Sequence, residues 1–368
     1  MKVLFLTNCP SPYRVSFFNE LSKYVKLTVL FEMRHAKNRS DQWKSDEKYN
    51  FEAIYLKSWF QKQESAFCPE VVKYINKFKR DIIIVGGYST PTGMYSIIYM
   101  NSCHIPFILN SDGGMIKQDS FLRLRVKNYF ISSATYWLST GINCSEYLEH
   151  YGADRNRIFE YPFSSIRQDE IQLVSFDEKK ILRESLGIEE KKVVLFVGSF
   201  IDRKGLDILL AACKDLVGVA IVLVGGDDIT RFLTEDDQNF GCHLYIEGFK
   251  TEHEIKKYYQ AADIFVLPTR EDIWGLVVNE AMSVGLPVIT TDHCGAGLVL
   301  IKNGENGYLV PINSAEALTS KLVSLLNDDV LISYMGRQNI KQIRQYTIEE
   351  MAKVHVRIIE EIENNGML

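Results

Sequence analysis

Two doubly wound parallel α/β units in tandem are what this sequence predicts, and three observations carry that expectation. Short apolar runs rich in Val, Ile and Phe alternate with segments of helical spacing through both halves of the chain. The alternation breaks once, over 164–176, where the residues after Pro162 are polar and without apolar period, and then restarts. The length of 368 residues suits two domains better than one. The expected units are 1–168 and 169–345, facing each other across a cleft that is a natural ligand site.

Each element follows from the local pattern. The run Val3-Leu4-Phe5-Leu6 is a first strand, opening into a Pro-rich turn, Asn8-Cys9-Pro10-Ser11-Pro12-Tyr13-Arg14, and a helix over 15–24. Strands are expected over 27–31 and 53–56, separated by a polar loop over 41–49. A helix over 69–78 leads to the apolar strand 81–85, which ends at Gly86-Gly87. A helix over 91–100 precedes a strand over 106–109 that stops at Asn110-Ser111-Asp112-Gly113-Gly114. The first unit closes with a helix over 120–132, a strand over 136–139, a helix over 145–151 and a short strand over 157–161.

The second unit starts at a strand over 193–197, followed by a helix over 206–216. Strands over 220–224 and 244–246 end at Gly225-Gly226 and Gly248. A helix over 254–262 leads to a strand over 264–267, a helix over 276–284 ended by Gly285 and Pro287, and a strand over 288–290. A short strand over 307–310 and helices over 314–326 and 330–344 complete it. Thr347 caps a final helix over 346–368, with Glu350 at the capping-box position.

Composition bounds the function. The chain is 46% hydrophobic and 24% charged, with a formal net charge of −5, which argues against nucleic acid as the main partner. Seven scattered cysteines form no C-x-x-C pair, so they read as reduced cytoplasmic thiols and not as a disulfide frame or zinc site. The opening MKVLFLTN is too short in apolar residues for a secretory leader, and no run approaches the roughly 18 apolar residues of a membrane span. Any membrane contact is therefore expected to be peripheral, and the inner leaflet is the surface expected for it. FLRLRVKNYF, over 121–130, has two readings: a basic amphipathic helix on an anionic membrane, or a half-buried helix, which its near-two apolar period favours. Neither first strand is followed by G-x-G-x-x-G, and no G-x-x-x-x-G-K-[ST] occurs, which disfavours nicotinamide and P-loop enzymes.

Chemistry concentrates in LPTREDIWGLVVNEAMSVGLPVITTDHCG, over 267–295. Asp272 lies in the loop at a strand's carboxyl end, where ligands bind in open α/β sheets. The helix start at Gly275-Leu276 offers N–H groups and a positive dipole end to a phosphate. Glu280, further along that helix, can accept hydrogen bonds from two ribose hydroxyls. From spacing alone, solvated or helix-capping acids are an equal reading. In Gly198-Ser199-Phe200-Ile201-Asp202-Arg203-Lys204-Gly205, two cations beside a helix start make a diphosphate site, or are two solvated surface cations. Asp112 is either a polar contact in the cleft or a turn residue before two glycines. Arg14 is either a phosphate contact or, the favoured reading, a helix-start surface cation.

The ordered segments VGSFIDRKGLDILL, YIEGF, YYQAADIFVLPTREDIWGLVVNEAMSVGLPVI and GLVLIKNGENGYLVPINSAEAL closely resemble the donor half of family-4 retaining glycosyltransferases, which have the GT-B fold. The resemblance covers about 193–326, and MKVLFLTNCPSPYRVSFFNEL looks like bacterial enzymes of capsular or exopolysaccharide assembly. It implies transfer of a hexose-type sugar, with retention, from a UDP- or GDP-linked donor to a hydroxyl of a glycan or lipid-linked glycan. It implies no other cofactor and no metal, and no D-x-D motif occurs. Glu280 matches the family's ribose-binding acid. Asp272 matches its sugar-binding Glu, one methylene shorter, with Glu271 as the neighbouring alternative. Lys204 matches the diphosphate lysine, while the family's earlier Arg falls on Ser199, beside Gly198, leaving Arg203 to compensate. The base is expected near Phe249 and Lys250, and the phosphates or sugar near the backbone of Trp274, Gly275, Leu276 and Val277. The last helix crosses back to the first domain in the family. Asp112, Asp272 and Lys204 are the candidate catalytic groups. Two rivals are a sugar-nucleotide epimerase of the same fold and a non-catalytic partner in glycan assembly.

Overall fold

The computed structural model describes residues 1–34, 48–62, 65–226, 228–233 and 240–364. Most of the loop expected over 41–49, and the end of the last helix over 365–368, lie outside the described residues. Two compact units divide the chain, one of residues 1–164 with the C-terminal helix, the other of 165–346. The sequence reading has these boundaries at 168/169 and 345/346.

The first unit runs β1 (Lys2–Thr7), α1 (Pro12–Leu21), β2 (Lys26–Phe31), β3 (Glu52–Tyr55), β4 (Phe60–Lys62), β5 (Ser65–Phe67), α2 (Val71–Phe78), β6 (Ile82–Val85), α3 (Pro91–Ser102), β7 (Ile108–Ser111), α4 (Phe121–Ser132), β8 (Tyr136–Ser139), α5 (Ile142–His150) and β9 (Ile158–Glu160). Seven of these strands form one sheet in the order β3-β2-β1-β6-β7-β8-β9, and every pairing in it is parallel. Helices on both faces explain why β6, β7 and β8 are buried at every position. The order reverses between β1 and β6, which makes their carboxyl ends the switch point of this sheet.

Three details differ from expectation. Helix α1 starts at Pro12 and not at 15, because Pro12 fits the first helical turn, where its missing N–H costs nothing. Residues 60–62 and 65–67 form an antiparallel pair of strands, the β4–β5 hairpin, with Phe60 opposite Phe67. Its strands are three residues each, too short for a period to register. Third, α4 buries only Phe130 and Ile131, while Phe121, Leu122, Val126 and Tyr129 are exposed. Lys127 and Arg123 instead hold Asp119, at 2.7 and 3.3 Å.

The second unit runs α6 (Phe176–Leu186), β10 (Lys192–Val197), α7 (Leu206–Cys213), β11 (Val219–Val224), β12 (His243–Glu247), α8 (Glu252–Ala261), β13 (Ile264–Leu267), α9 (Leu276–Ser283), β14 (Val288–Thr291), α10 (Gly295–Leu300), β15 (Gly307–Val310), α11 (Ala315–Leu326) and α12 (Asp329–Ile343). Its parallel sheet has the order β12-β11-β10-β13-β14-β15, so the switch point lies between β10 and β13. Helices α6 and α10 were not expected. Helix α6 begins at a capping box, Ser175 with Glu178, and ends at Gly187 with φ 69°. That signal is present in the sequence, beside the break read as linker. The residues of that break pack on the second unit: Gln172 N–H donates to the Ser283 carbonyl at 3.0 Å.

The chain then returns to the first unit as α13 (Ile348–Asn364), which packs on α1. Thr347 Oγ1 caps it by accepting from Glu350 N–H at 3.2 Å, while the Glu350 carboxylate takes Lys353 at 2.7 Å. His355 of α13 is buried between Phe17 and Tyr161, at ring-centroid distances of 4.7 and 4.4 Å. All cysteines are free, and six are buried, with Cys103 exposed at the end of α3. Among the described residues, no helix is long and apolar enough to cross a membrane.

Candidate functional site

The switch point of the second unit is stitched before any ligand arrives. Gly205 follows a single 3-10 turn over Asp202–Lys204 and has φ 69°. A Cβ there would lie 2.0 Å from the Pro268 carbonyl, so only glycine lets the β10 loop reach the β13 loop. Arg270 N–H and Thr269 Oγ1 both donate to the Arg203 carbonyl, at 2.8 and 2.9 Å. The Arg270 guanidinium holds the Asp207 carboxylate with two hydrogen bonds, at 2.9 and 2.6 Å, a fork geometry that fixes both loops.

This frame brings Lys204 and Asp272 together. Lys204 Nζ donates to Asp272 Oδ2 at 2.5 Å, and each side chain is only 13% exposed. Arg203 Nη1 lies 3.8 Å from Asp272 Oδ1 and donates to the Glu271 carbonyl. Asp272 is also fixed through its backbone, by bonds with His293 and Gly295 at 2.9 and 3.0 Å. Gly198 and Gly275 line the pair. A Cβ on Gly198 would be 3.8 Å from the Lys204 stem, and one on Gly275, φ 94°, 3.5 Å from Asp272 Oδ2.

Gly275 starts α9, so Leu276 and Val277 open the helix with N–H groups that have no partner within it. The Trp274 indole is buried and donates to Asn279 at 2.9 Å, so only its backbone fronts the loop. Ser199 is exposed. Phe249 is exposed at the end of the β12 loop, and Lys250 pairs with Glu247 at 2.8 Å.

Glu280 is not a solvated acid, one of the readings its spacing allowed. Its two oxygens accept from Tyr259 Oη at 2.8 Å and Ser165 Oγ at 3.3 Å. Burial pushes its carboxyl above the ordinary carboxylate range, and those two hydroxyls hold it down. Both donors escaped sequence reasoning. Tyr259 falls on the buried stripe of α8, and Ser165 in the apparent linker. The Arg270–Asp207 clamp was missed too, since its partners are 63 residues apart.

Asp112 belongs to the first unit and is described within it. It follows β7 and takes Arg14 Nη2 on both oxygens at 2.5 Å. Arg14 is not a surface cation: it is 4% exposed, under the rings of Tyr13 and Phe163 at 5.6 and 5.9 Å. The early start of α1 puts it in the first turn. Burial disfavours its charge, but the Asp112 carboxylate together with Tyr13 and Tyr161 outweighs this and raises its pKa. Its Nη1 is buried without a hydrogen-bond partner, as are Asn110 Oδ1 and Tyr161 Oη.

The family match with known proteins falls in the second unit. Residues 178–342 match the family of glycosyl transferases group 1. An uncharacterized glycosyltransferase of Methanocaldococcus jannaschii is 26% identical over 77% of this chain and 76% of its own length. The amylovoran biosynthesis glycosyltransferase AmsK of Erwinia amylovora is 30% identical over 48% of this chain, which spans about half of that relative, 51%. In fold, the chain is similar over its whole length to HepE of Anabaena, solved in complex with UDP and glucose, with TM-score 0.74 at 18% identity and 100% coverage of both chains. The chain thus has two Rossmann-like sheets of GT-B type, and its second unit carries a glycosyl transferases group 1 domain over residues 178–342.

Proposed function

We propose that this glycosyltransferase moves a hexose from a UDP- or GDP-linked donor to a hydroxyl of a glycan or lipid-linked glycan in surface polysaccharide synthesis, with retention at the anomeric carbon. The observation that carries the reading is the Lys204–Asp272 pair at the switch point of the second unit. Without donor, Asp272 is the counter-ion of Lys204. A diphosphate would take over Lys204, with Arg203 beside it and the α9 N–H groups behind it. Asp272 is then released to accept hydrogen bonds from sugar hydroxyls, and Glu280 to hold the ribose. The bond from the anomeric carbon to the diphosphate oxygen breaks, and its electron pair stays on the diphosphate. The acceptor oxygen forms the new bond, and its proton passes to the leaving phosphate. Lys204 and Arg203 stabilise the charge that grows there, which is where fixed cations lower a barrier.

The part of AmsK in amylovoran biosynthesis, and the complex of HepE with UDP and glucose, support the pathway class and donor type. Free thiols support a cytoplasmic site of action. A peripheral contact with an anionic inner leaflet rests on the exposed apolar side of α4, where Arg125 stacks over Phe121 at 4.5 Å. Flotation with phosphatidylglycerol vesicles checks that contact, and no co-migration removes it. Calorimetry against UDP-glucose, UDP-galactose and GDP-mannose, followed by NMR of the product anomer, tests the activity. Binding of none of these donors would overturn the reading.

A further inference from the structure

The β4–β5 hairpin displays two large rings that the fold does not need on its surface. Trp59 is 79% exposed and Phe60 is 53% exposed, although tryptophan is normally among the better-covered residues. Both pack on Phe67, with ring centroids 5.8 Å away, Trp59 edge-on and Phe60 stacked. Phe67 in turn meets Tyr95 of α3 edge-on at 5.4 Å. The outer rings are thus backed by inner ones and stand as a wall.

That wall is anchored. Thr92 Oγ1 donates to the Ala66 carbonyl at 2.6 Å and accepts from Cys68 N–H at 3.0 Å. The Cys68 thiol donates to the Glu32 carbonyl at 3.5 Å, and Trp59 N–H to the Phe67 carbonyl at 2.8 Å. The hairpin follows the carboxyl end of β3, is tied to the residue after β2, and meets the start of α3 after β6. It therefore stands at the end of its sheet where open α/β folds receive ligands.

We propose that Trp59 and Phe60 form a subsite for the pyranose rings of an acceptor glycan, which rests on the transferase reading above. A pyranose has an apolar C–H face and a polar rim, and a flat ring held from behind matches that face at little conformational cost. Exposed Lys57 and Lys62 flank the rings and suit the rim hydroxyls or an acidic sugar.

Saturation-transfer NMR of the full chain with maltotriose, cellotriose, mannotriose and a uronic acid disaccharide tests this. Sugar C–H signals are expected in the wild type, weakened about tenfold in Trp59→Ala and largely restored in Trp59→Phe. UDP affinity by calorimetry stays within twofold in both variants. Equal signals in Trp59→Ala, or no saccharide signal in the wild type, would overturn the proposal. So would a Trp59→Ala effect confined to phosphatidylglycerol vesicles, which assigns the wall to a lipid surface. Failure of both UDP and GDP to bind, with saccharide signals still dependent on Trp59, sinks the donor reading and leaves this one standing.

Discussion

Each unit sets a cation against a carboxylate at the carboxyl ends of its strands, and both contacts measure 2.5 Å. They are not equivalent. Arg14 is 4% exposed, reaches Asp112 from a helix and leaves one nitrogen buried without a partner, while Asp112 is 36% exposed. Lys204 and Asp272 are equally shielded, sit on two loops, and join the strands that flank the switch point. A guanidinium clamped under two rings is a fixed pin. An ammonium on a flexible stem can trade one anion for another. On the proposed function, the same ion-pair distance marks architecture in one unit and an exchangeable site in the other.

The comparison breaks most readily at its strongest member. Lys204→Ala is expected to lower turnover about 10²- to 10³-fold with little change in melting temperature, since its loss removes stabilisation of the leaving phosphate. Asp112→Asn should do the converse, costing roughly 2 kcal/mol in urea unfolding, less than a fully buried pair because Asp112 keeps solvent. Turnover lost in Asp112→Asn at unchanged stability would make the first pair a second reaction site and erase the contrast.

A smaller effect sharpens the reading of the second unit. Glu280→Ala should weaken UDP binding about tenfold by calorimetry, the scale of a lost charged hydrogen bond. Tyr259→Phe removes a donor that holds the Glu280 carboxyl down, so its pKa rises further. Donor binding that needs the carboxylate is then lost at higher pH than in the wild type as pH falls. An unshifted acid limb would show that Glu280 binds donor in its protonated form or not at all.

A pH-dependent effect concerns the first unit alone. Burial raises Glu32 from 4.5 to about 7. The folded state therefore holds a proton that the unfolded chain releases, and stability falls as pH rises through that window, by up to roughly 3 kcal/mol. Burial lowers His355 from 6.5 to about 4, so its contribution falls as pH drops through that range. The two slopes oppose. Glu32→Gln should leave the His355 slope, with urea midpoints rising from pH 5 to pH 6.5 more steeply than in the wild type. Parallel profiles would mean that Glu32 titrates normally.

What could be read from the sequence follows the same divide. In the second unit the candidate site is carried by contiguous stretches, GSFIDRKG and REDIWGLVVNE, so periodicity and turn residues placed their loops and the α9 start, while the family resemblance singled out Lys204 and Asp272. The partners of Glu280 and the Arg270–Asp207 clamp come from distant segments, and no local pattern announces them. In the first unit the strands were legible because parallel, doubly covered strands are continuously apolar. Arg14 was misread because its burial depends on an acid 98 residues away. The β4–β5 hairpin was invisible because its strands are shorter than any usable period.

One buried set of side chains has a practical consequence. Burial raises the thiols of Cys68, Cys242 and Cys294 to about 11 and those of Cys144 and Cys213 above their ordinary value, and Cys9 is covered as well. Attack by a maleimide or a methanethiosulfonate requires an accessible thiolate. Cys103 is the exposed thiol, so the unaltered chain already carries a single attachment point for a fluorophore or spin label.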